Sequence, residues 1–410
     1  MTLFHLLSIL IVLSAGFAYV NFKVFKLPSV IGLMLVSLLF SLLILFIGHF
    51  FPAFQNLVAA RLNSINFEEL LLEGMLSFML FAGATLLKYE DLKREKLSIL
   101  VFSTISVILS TFIIGVFSYY LLTFLGFKPY LIHTLLFGAL ISPTDPISVF
   151  SILKNAGISK SLETKIAGES LFNDGVAVVI FMTLLKLAQS NLPVNAGNIL
   201  LLFGQEAGGG IVLGIILGYF GYKLIASIDN YHVELLITIA VVMGGYTLAH
   251  FLGVSGPLAM VAAGLITGNH GKKLGMSKIT TEYVEKFWEL VNEIMNAILF
   301  VLIGLELLII QTNLKIFMIA IVLFLVSVLA RFISVWLPSV AISWKEKTSR
   351  NTLLILTWGG LRGGISIALA LSLRPEFNKD IWVTITYIIV CFSIFIQGIT
   401  IGKVAKRLSS

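Results

Sequence analysis

Thirteen long apolar stretches dominate this sequence and restrict what the chain can fold into. A helix needs about 20 mostly apolar residues to cross a bilayer, and only short polar segments separate these stretches. The stretches lie near residues 3–20, 28–51, 67–87, 97–125, 129–152, 166–188, 199–225, 232–252, 254–268, 284–310, 314–341, 351–373 and 381–402. The pattern predicts an all-α polytopic membrane protein with about thirteen transmembrane helices.

Composition excludes the other broad classes. The 410 residues are 58% hydrophobic and only 12% charged, whereas about a quarter of a soluble domain is charged. Disordered chains are poor in apolar residues and rich in charge, which is the opposite balance. Because no Lys or Arg precedes the first stretch, we expect a retained span and not a cleaved signal peptide. The single cysteine, Cys391, is expected to be a packing residue.

Basic residues alternate along the chain in a way that predicts its orientation. Of the 28 Lys and Arg, nineteen follow odd-numbered stretches or lie in the C-terminal tail, five follow even-numbered stretches, and four lie within stretches. Cytoplasmic loops carry an excess of Lys and Arg. We therefore expect a cytoplasmic C-terminus and an N-terminus outside. The net charge of +7 is then explained by these loops, with no nucleic-acid partner.

The fifth stretch contains a proline-rich break near its middle, residues 141–146, with the sequence ISPTDP. Two prolines three residues apart remove two helix donors and disfavour helical geometry just before each. We expect the helix to be interrupted there, with free carbonyl groups and helix ends beside Asp145. Interrupted helices near the membrane midplane form the cation sites of secondary transporters. The alternative is a simple proline kink in which Asp145 caps the second half of the helix.

The sixth stretch begins with residues 168–175, GESLFNDG, and continues directly into an apolar helix. Glu169 and Asn173 lie four residues apart, as do Ser170 and Asp174, so each pair shares a helix face. Acidic and neutral oxygen ligands suit hard cations such as Na⁺, and the segment offers no sulfur or paired imidazole for a transition metal. The alternative is a polar network with a structural role.

Four glycines surround an arginine in the twelfth stretch, at residues 358–366, WGGLRGGIS. The glycines permit close backbone approach or local unwinding. A buried arginine needs an anion, and Glu169 is the best candidate for the partner of Arg362. Ser366 is expected to pack, or to bond to its own helix.

The fifth and twelfth stretches occupy corresponding places if the chain divides into two halves. The single transmembrane domain, residues 1–410, is predicted to contain a first repeat at about 1–188, a connector helix at about 199–225 and a second repeat at about 232–402. A single connector span inverts the second six-helix repeat relative to the first. Interrupted helices at matching places in inverted halves indicate a transporter site.

SPTDP, GESLFNDG and GGLRGG, in this order and spacing, resemble the NhaP-like branch of the sodium/proton antiporters, which is related to the animal sodium/proton exchangers. The resemblance covers essentially the whole chain. It implies two crossing broken helices and a homodimer whose protomers each have a dimerisation part and a core part. It also implies a bacterial or archaeal cell membrane, a transporter and not an enzyme, no cofactor, and a monovalent cation and H⁺ as the transported species.

The resemblance implies a role for each polar residue of these motifs. Asp174 corresponds to the carboxylate that binds either the cation or the proton, and Ser170 and the backbone of Thr144 supply further oxygens to the cation. Asn173, which replaces a second acid of some relatives, is typical of the electroneutral branch.

The remaining motif residues have supporting roles in this scheme. Asn173 and Asp145 are expected to orient the site through a mutual hydrogen bond, and Glu169 is expected to form a structural ion pair with Arg362. Some relatives carry an acidic ligand in the third span, where this chain has Ala82. Glu306, at the end of the tenth stretch, is a weaker candidate ligand and is expected to be solvated.

The predicted function is exchange of Na⁺ or Li⁺ for H⁺ by alternating access, with the cation and the proton competing for Asp174. A K⁺/H⁺ antiporter is the nearest alternative, and a cation channel is another, since broken helices and carboxylates also line pores. An intramembrane serine protease with Ser170 as nucleophile lacks an identifiable base.

Overall fold

In this computed structural model the described residues are 3–54, 69–145, 150, 152–154, 156–189, 196–271, 276–310, 312–344, 346 and 348–409. They form α-helices joined by short turns, and none of these residues belongs to a β-strand. The predicted all-α class is confirmed. Pro146, the second proline of the break in the fifth stretch, lies outside the described residues.

The helices follow one another in the order predicted from the apolar stretches. The first seven are α1 (Leu3–Val20), α2 (Ser29–Phe50), α3 (Leu76–Leu86), α4 (Tyr89–Arg94), α5 (Lys96–Phe124), α6 (Leu131–Ile141) and α7 (Lys160–Gln189). Nine more follow: α8 (Ala196–Ile225), α9 (Tyr231–Leu252), α10 (Gly256–Ile266), α11 (Lys278–Glu306), α12 (Leu314–Ala341), α13 (Arg350–Trp358), α14 (Gly364–Leu371), α15 (Lys379–Phe392) and α16 (Ile399–Ser409). π-Helical turns extend α1, α10 and α15 and precede α3: Asn21–Phe25, Thr267–Gly271, Ser393–Gly398 and Glu69–Met75.

Each of the thirteen predicted spans contains at least one of these helices. Within the described parts of the chain, nine helices are long and apolar enough to cross a membrane. The third, fifth, ninth and twelfth spans fall short of that length because they are short, π-helical at one end or broken. Two spans begin earlier than predicted, since α7 and α11 start with polar turns; Ser277 caps α11 by accepting a hydrogen bond from the amide of Thr280 at 3.2 Å.

The helices pack as two bundles. We call α1, α2, α3, α8, α9, α10 and α11 the scaffold bundle, and α5, α6, α7, α12, α13, α14, α15 and α16 the core bundle. Helix α4 leads from α3 of the scaffold bundle to α5 and packs on α5 and α7. The bundles meet mainly where α7 packs against α8 and α10, and more sparsely where α14 approaches α11.

Two broken spans meet inside the core bundle. Helix α6 ends just before Pro143, which has no amide hydrogen to continue the helix, and residues 359–363 separate α13 from α14. The amide of Asp145 donates a hydrogen bond to the carbonyl of Leu361 at 2.8 Å, as an isolated antiparallel bridge. The predicted breaks in the fifth and twelfth spans are therefore confirmed, and their backbones are in direct contact.

Candidate functional site

Arg362 neutralises the carbonyl end of the first broken helix. Its Nη1 donates to the carbonyls of Ser142 at 2.7 Å and Pro143 at 3.2 Å, and its Nη2 donates to the carbonyl of Ser327 at 3.1 Å. The last carbonyls of a helix lack intrahelical partners and carry partial negative charge, which favours a cation there. The side chain is 2% exposed, so these carbonyls replace the water that the guanidinium has lost.

Glu169 pairs with Arg331 of α12, and the predicted Glu169–Arg362 ion pair is therefore wrong. Arg331 Nη2 lies 2.5 Å from Glu169 Oε1, and both side chains are buried. The physical reason is that Arg362 is already engaged by the end of α6, while Arg331 approaches α7 from another helix. Sequence reasoning missed Arg331, although an arginine inside an apolar span was itself a signal.

Asp145 lies at the amino end of the second broken helix. A Cβ placed on Gly363, the N-cap of α14, would lie 2.8 Å from Asp145 Oδ2 and 2.5 Å from its Cβ. Only a glycine lets the two backbones approach this closely. An acidic side chain is favoured at the positive end of a helix. The two breaks thus present complementary charges, a guanidinium at a carboxyl end and a carboxylate at an amino end.

Thr144 links the broken helix to α7. The Ser170 hydroxyl donates a hydrogen bond to the Thr144 carbonyl oxygen, and Asn173 Nδ2 donates to Thr144 Oγ1 at 2.8 Å. The predicted hydrogen bond between Asn173 and Asp145 is wrong in its partner, because the amide reaches Thr144 first. Asn173 Oδ1 is buried and has no hydrogen-bond partner within the described part of the chain.

Asp174 faces a small cavity between the broken helices. The cavity has a volume of about 30 Å³, and its polar lining comes from Thr144, Asp145, Asp174 and Ser366. That space holds an object the size of a water molecule. Among the described residues Asp174 makes no hydrogen bond or ion pair, and its electrostatic neighbour is a second acid, Asp145. The cavity is therefore suited to one small cation or one proton.

Ser170 does not line this cavity. It lies on the other side of Thr144, beside a second space of about 10 Å³ that Glu169 and Arg331 also line. Thr144 lines both spaces. The structure thus brings Asp174, Asp145 and Thr144 together on one side, and Ser170 and Glu169 on the other.

Two further residues differ from the sequence expectations. Ser366, expected to pack or to bond to its own helix, lines the Asp174 cavity, and its buried hydroxyl has no hydrogen-bond partner among the described residues. Glu306 was expected to be solvated, and this expectation is wrong. The residue is only 4% exposed, because the end of α11 is covered by neighbouring helices.

Comparison with known proteins identifies the relatives of this chain. A family model described as sodium/hydrogen exchanger, transmembrane, matches residues 9–407. The chain is 42% identical to the Na⁺/H⁺ antiporter NhaP of Pseudomonas aeruginosa over 98% of this chain and 96% of the relative. It is 34% identical to the Na⁺/H⁺ antiporter NhaH of Halobacillus dabanensis, over 94% and 93%.

The fold also matches a solved structure. The sodium proton antiporter MjNhaP1 of Methanocaldococcus jannaschii aligns with a TM-score of 0.78 at 22% identity, covering 99% of this chain and 98% of that one. The fold is thus shared over the whole length. Together with the family match and the 42% identical relative, this means that the chain belongs to the transmembrane sodium/hydrogen exchanger family.

Proposed function

We propose that this protein exchanges Na⁺ for H⁺ across a membrane, with the two ions competing for Asp174. The observation that carries the proposal is the cavity of about 30 Å³ beside Asp174, a carboxylate for which the described residues provide no cationic partner. The relatives named as Na⁺/H⁺ antiporters support the choice of Na⁺. Li⁺, which is also a hard cation, is expected to substitute for Na⁺.

Competition at one carboxylate is sufficient to couple the two fluxes. An unpaired carboxylate resists transfer through a low-dielectric barrier, whereas its proton-bound and cation-bound forms are both neutralised. The core bundle then changes access only when Asp174 carries one of the two ions. One positive charge crosses in each direction per cycle, so the exchange is electroneutral.

The neighbouring residues have different tasks in this scheme. An oxygen of Thr144 joins Asp174 in binding the cation. Ser170, whose hydroxyl donates to the Thr144 carbonyl from the other side, holds Thr144 beside the cavity together with Asn173, and Asp145 holds the helix breaks in place. Glu169 with Arg331 is structural, because that pair is already neutral. Arg362 stabilises the end of α6 through its carbonyl contacts.

We further propose a homodimer in a bacterial or archaeal cell membrane, with the N-terminus outside and the C-terminus in the cytoplasm. The distribution of Lys and Arg supports this orientation. Only 22% of the apolar membrane-crossing segment of each of α1, α8 and α9 is buried within the chain. These helices therefore offer surface to lipid and to a second protomer. The two inverted repeats are proposed at about 1–188 and 232–402.

The test is dissipation of a pH gradient by the purified protein in proteoliposomes, titrated in turn with Na⁺, Li⁺ and K⁺. We expect Na⁺ and Li⁺ to dissipate the pH gradient with saturable kinetics. The rate should be the same at every value at which the membrane potential is clamped. A response to K⁺ alone would replace the proposal with K⁺/H⁺ exchange. Single-channel currents, or a rate that follows the membrane potential, would overturn electroneutral exchange.

A further inference from the structure

One ion pair joins the core bundle directly to the scaffold bundle. Lys186, in the last turn of α7, pairs with Glu206 of α8, and these two helices pack against each other. The other ion pairs between described residues lie within the core bundle, within one helix or turn, or between α7 and residues 91–95 at the start of α5. Movement of the core bundle away from the scaffold bundle at this end therefore has to separate Lys186 from Glu206.

Glu206 is fixed firmly in the scaffold bundle. Its side chain is only 8% exposed, and its carbonyl accepts a hydrogen bond at 3.1 Å from the amide of Ser255, the N-cap of α10. A Cβ placed on Gly210, one turn further along α8, would lie 2.5 Å from the carbonyl oxygen of Ser255. The backbones of α8 and α10 are therefore in close contact here, and the Glu206 carboxylate is held by the scaffold and not by α7.

Lys186 belongs to the helix that carries Asp174. It follows Asp174 on the same continuous helix, Lys160–Gln189, at a distance of about 18 Å along the axis for a rise of 1.5 Å per residue. A displacement of this end of α7 therefore accompanies a displacement of the Asp174 cavity. The Lys186 side chain is 48% exposed, so its ammonium group reaches the buried carboxylate from an open side. In the proposed orientation this end of α7 lies at the outer face of the membrane.

We propose that the Lys186–Glu206 ion pair is a lock that holds the outer ends of the two bundles together and disfavours the state in which Asp174 is open to the outside. A buried carboxylate that loses its cationic partner is unfavourable unless water replaces that partner. Opening at this end therefore has to separate the charges and hydrate Glu206. The direction of the effect rests on the proposed function and its orientation, whereas the contact between the bundles does not.

Loss of the lock should change the two sides of the membrane in opposite directions. A larger outward-open population presents more binding-competent sites to Na⁺ outside and fewer to Na⁺ inside. The Na⁺ concentration for half-maximal exchange should then fall at the outer side and rise at the inner side. The equilibrium of the exchange itself stays the same, because a substitution in the protein does not alter the free energies of the ions in water.

The test compares half-maximal Na⁺ concentrations in right-side-out and inside-out membrane vesicles. For Glu206→Gln and for Lys186→Glu we expect the ratio of the outer to the inner value to fall about tenfold, an effect between those of an exposed and a fully buried pair. The double variant Lys186→Glu, Glu206→Lys restores the attraction and should restore the wild-type ratio. Lys160→Gln is the matched control, because Lys160 pairs with Asp91 at 3.0 Å at the other end of α7 and this pair does not join the bundles; it should keep the wild-type ratio.

Hydrogen–deuterium exchange of the purified full-length protein follows the same contact without transport. Amides in the last turn of α7 should exchange faster in Glu206→Gln than in wild type, because separated ends admit water, and Lys160→Gln should match wild type.

A lower thermal stability of Glu206→Gln, with the wild-type ratio and wild-type deuterium uptake, would reduce the pair to a fastening of α7 on α8 and overturn the lock. A ratio that stays shifted in a folded double variant would overturn it too, since the attraction would not be the cause. If the double variant does not fold, Glu206→Gln decides alone, because it removes the charge and keeps the shape. If deuterium uptake responds but wild type exchanges no ions, the lock between the bundles stands and the proposed function fails.

Discussion

Glu169 and Asp174 lie five residues apart on α7, yet their carboxylates have neighbours of opposite charge. Glu169 is 2% exposed and is matched by Arg331 at 2.5 Å. Asp174 is half-buried beside a cavity and faces another acid, Asp145. Five residues correspond to a rotation of about 140° around a helix with 3.6 residues per turn. The two carboxylates therefore face different neighbours, and among the described residues only Glu169 has a cationic partner.

This difference separates a structural charge from a transporting one. A carboxylate that is permanently paired with an arginine can stabilise the junction of α7 and α12. Its charge is already neutralised, so it does not attract a further cation. An unpaired carboxylate is costly in the folded protein and is neutralised only by an ion from solution. Substitution of Asp174 should therefore mainly reduce transport, whereas substitution of Glu169 should mainly reduce stability.

The largest expected effect is on transport, from Asp174→Asn. The amide has no charge to attract Na⁺ and no proton to release, so we expect exchange in proteoliposomes to fall to the rate of protein-free liposomes. Thermal stability in detergent should be unchanged or raised, because the negative charge that faces Asp145 is removed. Asp229→Asn, at an exposed residue in the turn before α9, is the matched control and should exchange normally. Full exchange by Asp174→Asn would refute the role of Asp174.

Glu169→Gln should have the next largest effect, on stability. Removing one partner of a buried ion pair leaves the other charge uncompensated, which costs about 3–5 kcal/mol. We expect a lower midpoint of thermal unfolding and a poor yield of folded protein. The double variant Glu169→Gln, Arg331→Met should recover much of the loss, because no charge is then left unpaired. A double variant less stable than Glu169→Gln alone would show that Arg331 has a more important partner than Glu169.

The sequence was sufficient for most of the fold. Each of the thirteen apolar stretches contains at least one described helix, because the bilayer requires continuous apolar surface. It was less informative about helix ends: Lys278–Glu306 begins six residues before the predicted stretch, since the polar first turns of α11 carry no hydropathy signal. The break in the fifth span was predictable from Pro143, and that in the twelfth from the glycines around Arg362.

The partners within the site could not be obtained in the same way. A charge inside an apolar stretch predicts that a partner exists, but two arginines were available for Glu169, and their separation along the chain does not distinguish them. The choice depends on which guanidinium the carbonyl end of α6 already engages. The burial of Glu306 could not be predicted either, because it depends on the helices that pack around α11 and not on its neighbours in sequence.

Ser366→Ala should give the smallest effect and sharpens the description of the Asp174 cavity. The Ser366 hydroxyl is buried and has no partner among the described residues, so its removal leaves no other group unsatisfied and stability should change little. If the hydroxyl contributes an oxygen to the cation, the Na⁺ concentration for half-maximal exchange should rise about tenfold, which corresponds to about 1.4 kcal/mol. Ser372→Ala is the matched control, because this hydroxyl is satisfied within its own segment by the carbonyl of Leu369 at 2.8 Å. Loss of stability without a change in the Na⁺ dependence would instead assign Ser366 to packing, and the ligands of the cation would then be limited to the oxygens around Asp174 and Thr144.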